Sequence, residues 1–344
     1  ADGIRLLPSP GTQLPMMGEW QRTAQGYRAA LYFLQEGTYD FRILAQDAAG
    51  NRAIAEGASF VLDQSAPLLR VLGIPEGAAL RSLPIVEIRS SDAYTPDVAI
   101  RLSLQRTDGQ SVKLPSLQKV AQGVFRLSLA DGSEWADGSY RLTVTASDRA
   151  GNTQREEISF LVNQSGSTFL LPSALNHAYV AQLSSLRIRQ YNLSPLIQDT
   201  LILIHNNESR ILQKGRDYTV SEDGTNGHTY TYTLKDALFA QEGVYRLRIL
   251  SRDAAGNTSD SFAPDNDASL TFVIDRSAPN IEWLQENGED AGLTCTFAIS
   301  DHYALASVRF RYDGKELEAT KQDERYTLTL PYENGKLEIT AIGA

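Results

Sequence analysis

Apolar and polar side chains alternate without a break in Tyr140-Arg141-Leu142-Thr143-Val144-Thr145-Ala146-Ser147. That period puts Tyr140, Leu142, Val144 and Ala146 on one face of a β-strand and the polar residues on the other, so one face is buried and the other wet. The same phase runs through Tyr39, Phe41, Ile43, Ala45 and through Tyr245, Leu247, Ile249, Ser251, and helical spacing fits these stretches poorly. Each is led by Gly-x-Tyr and ends on Asp-x-Ala-Gly-Asn, at Asp47 to Asn51, Asp148 to Asn152 and Asp253 to Asn257, with eight residues from tyrosine to aspartate every time. Beyond each turn comes a second apolar strand, Phe60-Val61-Leu62-Asp63, Phe160-Leu161-Val162-Asn163 and Phe272-Val273-Ile274-Asp275, which predicts three hairpins. The tyrosines recur at intervals of 101 and 105 residues, the size of one small domain, so the chain is a tandem repeat.

Another short strand is legible upstream of each hairpin, at Tyr27 to Leu31, Val124 to Leu129, His228 to Leu234 and Tyr326 to Leu330. The second and fourth copies share Ser-Asp-x-Tyr, in Ser91-Asp92-Ala93-Tyr94 and Ser300-Asp301-His302-Tyr303, each followed by an alternating strand and an Asp-Gly pair suited to a tight hairpin, Asp108-Gly109 and Asp313-Gly314. A full copy therefore holds about seven short strands over ~100 residues, the dimensions of an antiparallel Greek-key sandwich, with one helical turn at most, between Leu234 and Ala240. The fold class is all-β. Boundaries follow as a partial sandwich at 1–64, full ones at 65–164 and 165–276, the latter with extra residues around Asn206 to Thr229, and a partial one at 277–344. Asp2-Gly3 lines up by its letters with the later Asp-Gly turns, and Leu337 stands where the fourth copy should carry its tyrosine. Both outer copies are expected to expose apolar faces and strand edges, to be poorly ordered or covered by a neighbour, in a polypeptide that continues in both directions.

Junctions are marked by Asp63-Gln64-Ser65-Ala66-Pro67 and Asp275-Arg276-Ser277-Ala278-Pro279. Proline just after a last strand stops ladder pairing and stiffens the crossing, which predicts a semi-rigid rod. Asn163-Gln164-Ser165-Gly166-Ser167 lacks the proline and is the expected bend. Charge then narrows the partners: 32 Lys+Arg against 42 Asp+Glu gives −10, no field for nucleic acid or anionic lipid. Cys295 is the only cysteine and forbids an internal disulfide; in phase with Leu293 and Phe297 it reads as an inert core thiol. No apolar run approaches the roughly 20 residues of a membrane span, and no signal-peptide profile opens the chain, so an exported protein would carry its address and anchor outside this segment.

With Gly-x-Tyr, Asp-x-Ala-Gly-Asn and Asp-x-x-Ala-Pro in fixed order, essentially the whole chain resembles the bacterial immunoglobulin-like (Big-type) repeat families; Asn163, Gly166 and Leu337 are its departures. The resemblance implies tandem immunoglobulin-like β-sandwiches in a large exported or cell-surface protein. It further implies a structural spacer, adhesin-like, that presents a distal functional region, with neighbouring repeats as its partners and a host-surface, matrix or glycan ligand beyond them. Two alternatives stand beside it: accessory modules of a secreted enzyme whose catalytic domain lies elsewhere, and a carbohydrate-binding module centred on the third copy.

The turn aspartates have a purely structural reading, in which the carboxylate accepts backbone N–H bonds while glycine takes the left-handed position. They also have a functional one. In a sandwich of this topology the last hairpin turn and the turn after the second strand sit at the end facing the preceding linker, so Asp148 and Asp92 converge on Asp63, three hard oxygen ligands suited to Ca²⁺. Asp275 and Asp301 meet similarly at the last junction, and Asn163 with Asp253 offers less charge at the middle one. Related repeat adhesins are stiffened by calcium between domains, which the resemblance extends to these residues. Tyr39, Tyr140 and Tyr245 read as tyrosine corners, each hydroxyl tied back to nearby backbone. Tyr218, Tyr230 and Tyr232 form either a sugar-stacking face or a buried one, and the Asn206 to Thr229 insertion is where a binding loop is expected. His177, His205, His228 and His302 lack metal-ligand spacing and no nucleophile motif is present, so no enzyme is expected.

Overall fold

The alternating stretches form strands where the pattern predicts, except Tyr27 to Leu31, which breaks at Ala29-Ala30 into Gly26–Arg28 and Leu31–Tyr32, each in a two-stranded pair of its own. The computed structural model describes residues 3–131, 135–225, 227–266, 268–289, 292–331 and 334–344. By its internal contacts the chain divides into two compact units, Ala1–Gln164 and Ser165–Ala344.

The second repeat shows the plan. One sheet runs in the order Gln118–Ala121, Val124–Ser128, Ile85–Ser91, Leu68–Leu72; the other runs Ala99–Arg106, Gly138–Ser147, Thr153–Val162, Ala78–Leu80. This is an immunoglobulin-like sandwich whose first strand crosses from one sheet to the other: Ala78–Leu80 pairs parallel with Thr153–Val162 and closes an edge that would otherwise stay open. Sequence reading missed that three-residue strand because it is too short to show a period. Between the sheets Val86, Ile88, Leu127, Tyr140, Leu142, Val144, Ile158 and Phe160 make a core of their own. The third repeat repeats the plan around a separate core that includes Ile188, Tyr232, Tyr245, Leu247 and Phe272, and a 3₁₀ turn at Asp236–Phe239 takes the place of the expected helical turn. In the fourth, Cys295, Phe297, Ile299, Phe310 and Leu328 pack between two sheets.

The register corrects one alignment. Ile4–Pro8 pairs with Gly37–Gln46, Ile4 opposite Ala45 and Leu6 opposite Ile43, the place that Ala99–Arg106 holds in the second repeat. Gly3 therefore leads into a strand instead of following one, its carbonyl accepts the Gln46 N–H at 2.7 Å, and a Cβ there would collide with the Gln46 carbonyl; Asp2 lies outside the described residues. The turn that follows is Ser9 to Thr12, with Gly11 left-handed. The other Asp-Gly pairs differ from one another: Asp313 and Gly314 both have positive φ, as a two-residue hairpin requires, whereas at Asp108-Gly109 only the glycine does and the loop is longer. Met16, Tyr27, Leu34 and Ile54 of the first repeat are exposed.

The tyrosine pattern recurs in three dimensions. Each tyrosine hydroxyl donates to the carbonyl four residues back, Tyr39 to Gln35, Tyr140 to Ala136 and Tyr245 to Gln241, at 2.7–2.8 Å. Each ring stacks on the closing-strand phenylalanine, Phe60, Phe160 or Phe272, and takes the edge of a third aromatic, Phe33, Trp135 or Phe239. Leu337, opposite Tyr312 in the fourth repeat, fills the position without a hydroxyl.

Candidate functional site

The Asp-x-Ala-Gly-Asn turn closes on its own aspartate. Asp148 Oδ1 accepts the Gly151 and Asn152 N–H groups at 2.7 and 2.8 Å, Oδ2 accepts the Asn152 side chain at 2.8 Å, and Gly151 takes φ 98°. Desolvation alone would raise the Asp148 carboxyl, yet the Asn152 and Gly151 bonds together hold it below the ordinary carboxylate value. The turn after the second strand is built the same way, Asp92 Oδ1 accepting the N–H groups of Tyr94 and Thr95.

These two turns lie at one end of the second repeat, where Asp63 arrives from the first. One carboxylate oxygen from each of Asp63, Asp92 and Asp148 lies within 4.8 Å of the other two. Oxygens bound to a single Ca²⁺ at about 2.3–2.6 Å stand at most ~4.6–5.2 Å apart, so the spacing is compatible with that ion. A second observation agrees: Asp63 Oδ2 is buried and has no hydrogen-bond partner. Desolvation pushes the Asp63 carboxyl above its ordinary value, the Ser65 N–H pulls against this, and the charges of Asp92, Asp148 and Glu36 push further. The cluster is held to the junction by the Asn152 side chain, which donates to the Asp63 carbonyl at 3.2 Å.

Asp275 and Asp301 also come together. Asp301 Oδ1 accepts the Tyr303 and Ala304 N–H groups, while its buried Oδ2 has no partner. Asp275 is driven above the ordinary carboxylate value by burial, and then by the neighbouring charge of Asp301. The third repeat departs from both. Asn192 occupies the place of Asp92: its Oδ1 accepts the Ser194 N–H at 2.9 Å, as Asp92 does in its own turn, but its amide Nδ2 donates to Asp253 Oδ2 at 3.2 Å. Asn192 and Asp253 are both about 1% exposed, inside a polar network with Ser167, Gln190, Ser251 and Asn257.

Sequence reading missed the residue that pins each linker. Glu36 accepts the Gln64 N–H at 2.7 Å and the Ser65 hydroxyl at 2.8 Å; Glu242 accepts the Arg276 N–H at 2.7 Å and the Ser277 hydroxyl at 2.9 Å; Asp137 accepts the Gln164 N–H at 2.7 Å. All three immediately precede the glycine of Gly-x-Tyr, so the signal was an acidic residue one place before a motif already noticed. The sugar-stacking face is overturned: Tyr218, Tyr230 and Tyr232 are buried in the third core because their strands turn that phase inward. Cys295 is wholly buried, and burial raises its thiol above the ordinary value. No helix among the described residues is long and apolar enough to cross a membrane.

Residues 84–164 match the family model of a bacterial Ig-like domain. Among solved structures the chain is similar to a tetra-tandem repeat in the extending region of a large adhesion protein, at 16% identity and TM-score 0.37, covering 99% of this chain and 90% of that one. It is similar as well to protocadherin gammaB7 EC3-6, at 11% identity and TM-score 0.35 over 99% and 92% of the two chains, and to a titin Ig tandem, at 17% and 0.30 over 61% and 96%. No curated protein matches it.

Proposed function

We propose that these immunoglobulin-like repeats are a structural spacer of an exported, adhesion-type bacterial surface protein, with Ca²⁺ closing the junction between the first and second repeats. The observation that carries the reading is the repeated anchoring of each linker by the acid before Gly-x-Tyr, at Glu36, Asp137 and Glu242. Each repeat closes its own aromatic core, and the chain leaving it is tied down within two residues. What such a unit offers is defined reach, not bond-making chemistry.

Asp63, Asp92 and Asp148 would hold the ion, which supplies the positive charge that three converging carboxylates lack. Asp63 then completes its coordination with the oxygen that has no protein partner. Asp275 and Asp301 supply two ligands of the same kind at the last junction. Calorimetry of the chain with Ca²⁺ is expected to show binding heat that Asp148→Ala largely removes; absence of heat, or heat unchanged in the variant, takes the metal out of the proposal. A catalytic domain in the flanking polypeptide would instead assign the repeats to a secreted enzyme.

A further inference from the structure

In the second repeat the tyrosine strand and its closing strand stay in register from Gly138 opposite Val162 to Ser147 opposite Thr153. In the third, the same ladder is interrupted. Gly243 to Leu247 pair with Leu270 to Ile274 and Leu250 to Arg252 pair with Thr258 to Asp260, while the chain leaves the sheet at Ser261 and rejoins it at Leu270. The sister hairpins close without this excursion, so the fold does not require it, and ordering it costs conformational entropy.

The first part of the excursion, Ser261 to Asn266, is nevertheless tied down. Ser261 exchanges bonds with the Ile249 backbone, its N–H donating to the carbonyl and its hydroxyl accepting the N–H, both at 2.9 Å. Asp260 accepts the Phe262 N–H at 2.9 Å and the fork of Arg248, and its carbonyl accepts the Asn266 side chain at 2.8 Å. The Arg246 guanidinium lies 4.8 Å from the centre of the Phe262 ring. A wall tied in this way borders an open hollow of about 660 Å³ on the outer face of the sheet, in the range of small-ligand sites, ~300–1,000 Å³.

We propose that this hollow binds a neutral saccharide. Leu250 and Ala263 give it an apolar patch for the C–H face of a sugar ring, and Gln198, Thr200, Thr258 and Asn266 surround that patch with groups that pair with ring hydroxyls. Its exposed charges, Arg252 and Asp265, are opposite in sign, and the Asp260 charge is matched by Arg248. An anionic or cationic ligand would meet repulsion as well as attraction, whereas vicinal hydroxyls both donate and accept and use both. The site lies on the outer face of the sheet that carries Gly243–Asp253, away from the buried tyrosines, and is independent of the metal junction.

The test is an array of neutral and acidic oligosaccharides probed with the whole chain, followed by amide shift mapping with the neutral sugars that bind. Expected are shifts at Gln198, Arg252 and Asn266, with affinity about tenfold lower in Arg252→Ala and in Gln198→Ala. Both side chains are exposed and stand opposite one another on paired strands, so the variants are expected to keep the fold, which unchanged thermal unfolding verifies. Silence across the array, preference for the acidic sugars, or binding unaffected by both substitutions overturns the proposal.

Discussion

The end of the second repeat and the end of the third use one backbone device and finish it in opposite ways. In both, the oxygen of the residue after the second strand caps its own turn, Asp92 receiving Tyr94 and Thr95, Asn192 receiving Ser194. The difference is the other atom of the same side chain. In the second repeat it is an oxygen in a group of three carboxylates, where Asp63 keeps a buried oxygen without a donor. In the third it is an amide nitrogen that donates to Asp253, and the aspartate is buried with its bonds made. Where Asp92 sets carboxylate against carboxylate, the Asn192 amide donates instead, so the end of the second repeat carries repulsion and that of the third attraction.

Asn192→Asp should break this contrast most strongly. It sets a second carboxylate against buried Asp253, and the third repeat should lose about 3–5 kcal/mol at neutral pH, read by urea unfolding, with recovery on acidification as a protonated carboxyl again donates. Next in size are Tyr140→Phe and Tyr245→Phe. The corner bond is common to both repeats, so each should cost about 1 kcal/mol, and a large inequality would show that the two cores differ as well as the two ends. The mirror exchange, Asp92→Asn, should raise the melting temperature of the metal-free chain by a few degrees and abolish its response to Ca²⁺; a stabilisation by Ca²⁺ that survives the exchange would place the ion elsewhere.

The smallest effect is in pH, and its sign should differ between the two repeats. The folded Asp63 carboxyl binds its proton more tightly than the unfolded one, so without metal the first junction is most stable at or below the ordinary carboxylate value and loses stability as pH rises through the raised one. Asp217 of the third repeat is the reverse. Arg216 bonds it, burial opposes, and the Gln213 N–H and Arg210 help bring it to about 2, so its stabilisation is present above its ordinary value of 3.8 and lost as pH falls toward about 2. Unfolding midpoints of Asp63→Asn and Asp217→Asn across acid pH separate the two.

The hairpins, tyrosine corners and three-carboxylate convergence were legible because each depends on a short local rule repeated in register. Alternation fixes which face is buried, Gly-x-Tyr places a hydroxyl four residues from its acceptor, and Asp-x-Ala-Gly-Asn closes without help from the rest of the chain. What escaped was set by distance or brevity. Ala78–Leu80 is too short for a period, Asp2-Gly3 matched by letters a turn that the strand register excludes, and the acids Glu36, Asp137 and Glu242 meet linkers 27 to 35 residues away. The insertion was sought between Asn206 and Thr229, yet the loop that makes a hollow lies beyond Asp260, where Pro264, Asp265 and Asn266 were a turn signal left unread.

The order of residues by itself determined an all-β chain of repeated hairpins, since alternation and turn chemistry act over a few positions and need no partner. Tertiary structure alone decided which oxygen of Asp63 is stranded, that Asn192 answers Asp253, and that one broken ladder opens a hollow. Those outcomes depend on angstrom-scale distances between residues dozens of positions apart, and only the packing of one sheet on another sets them.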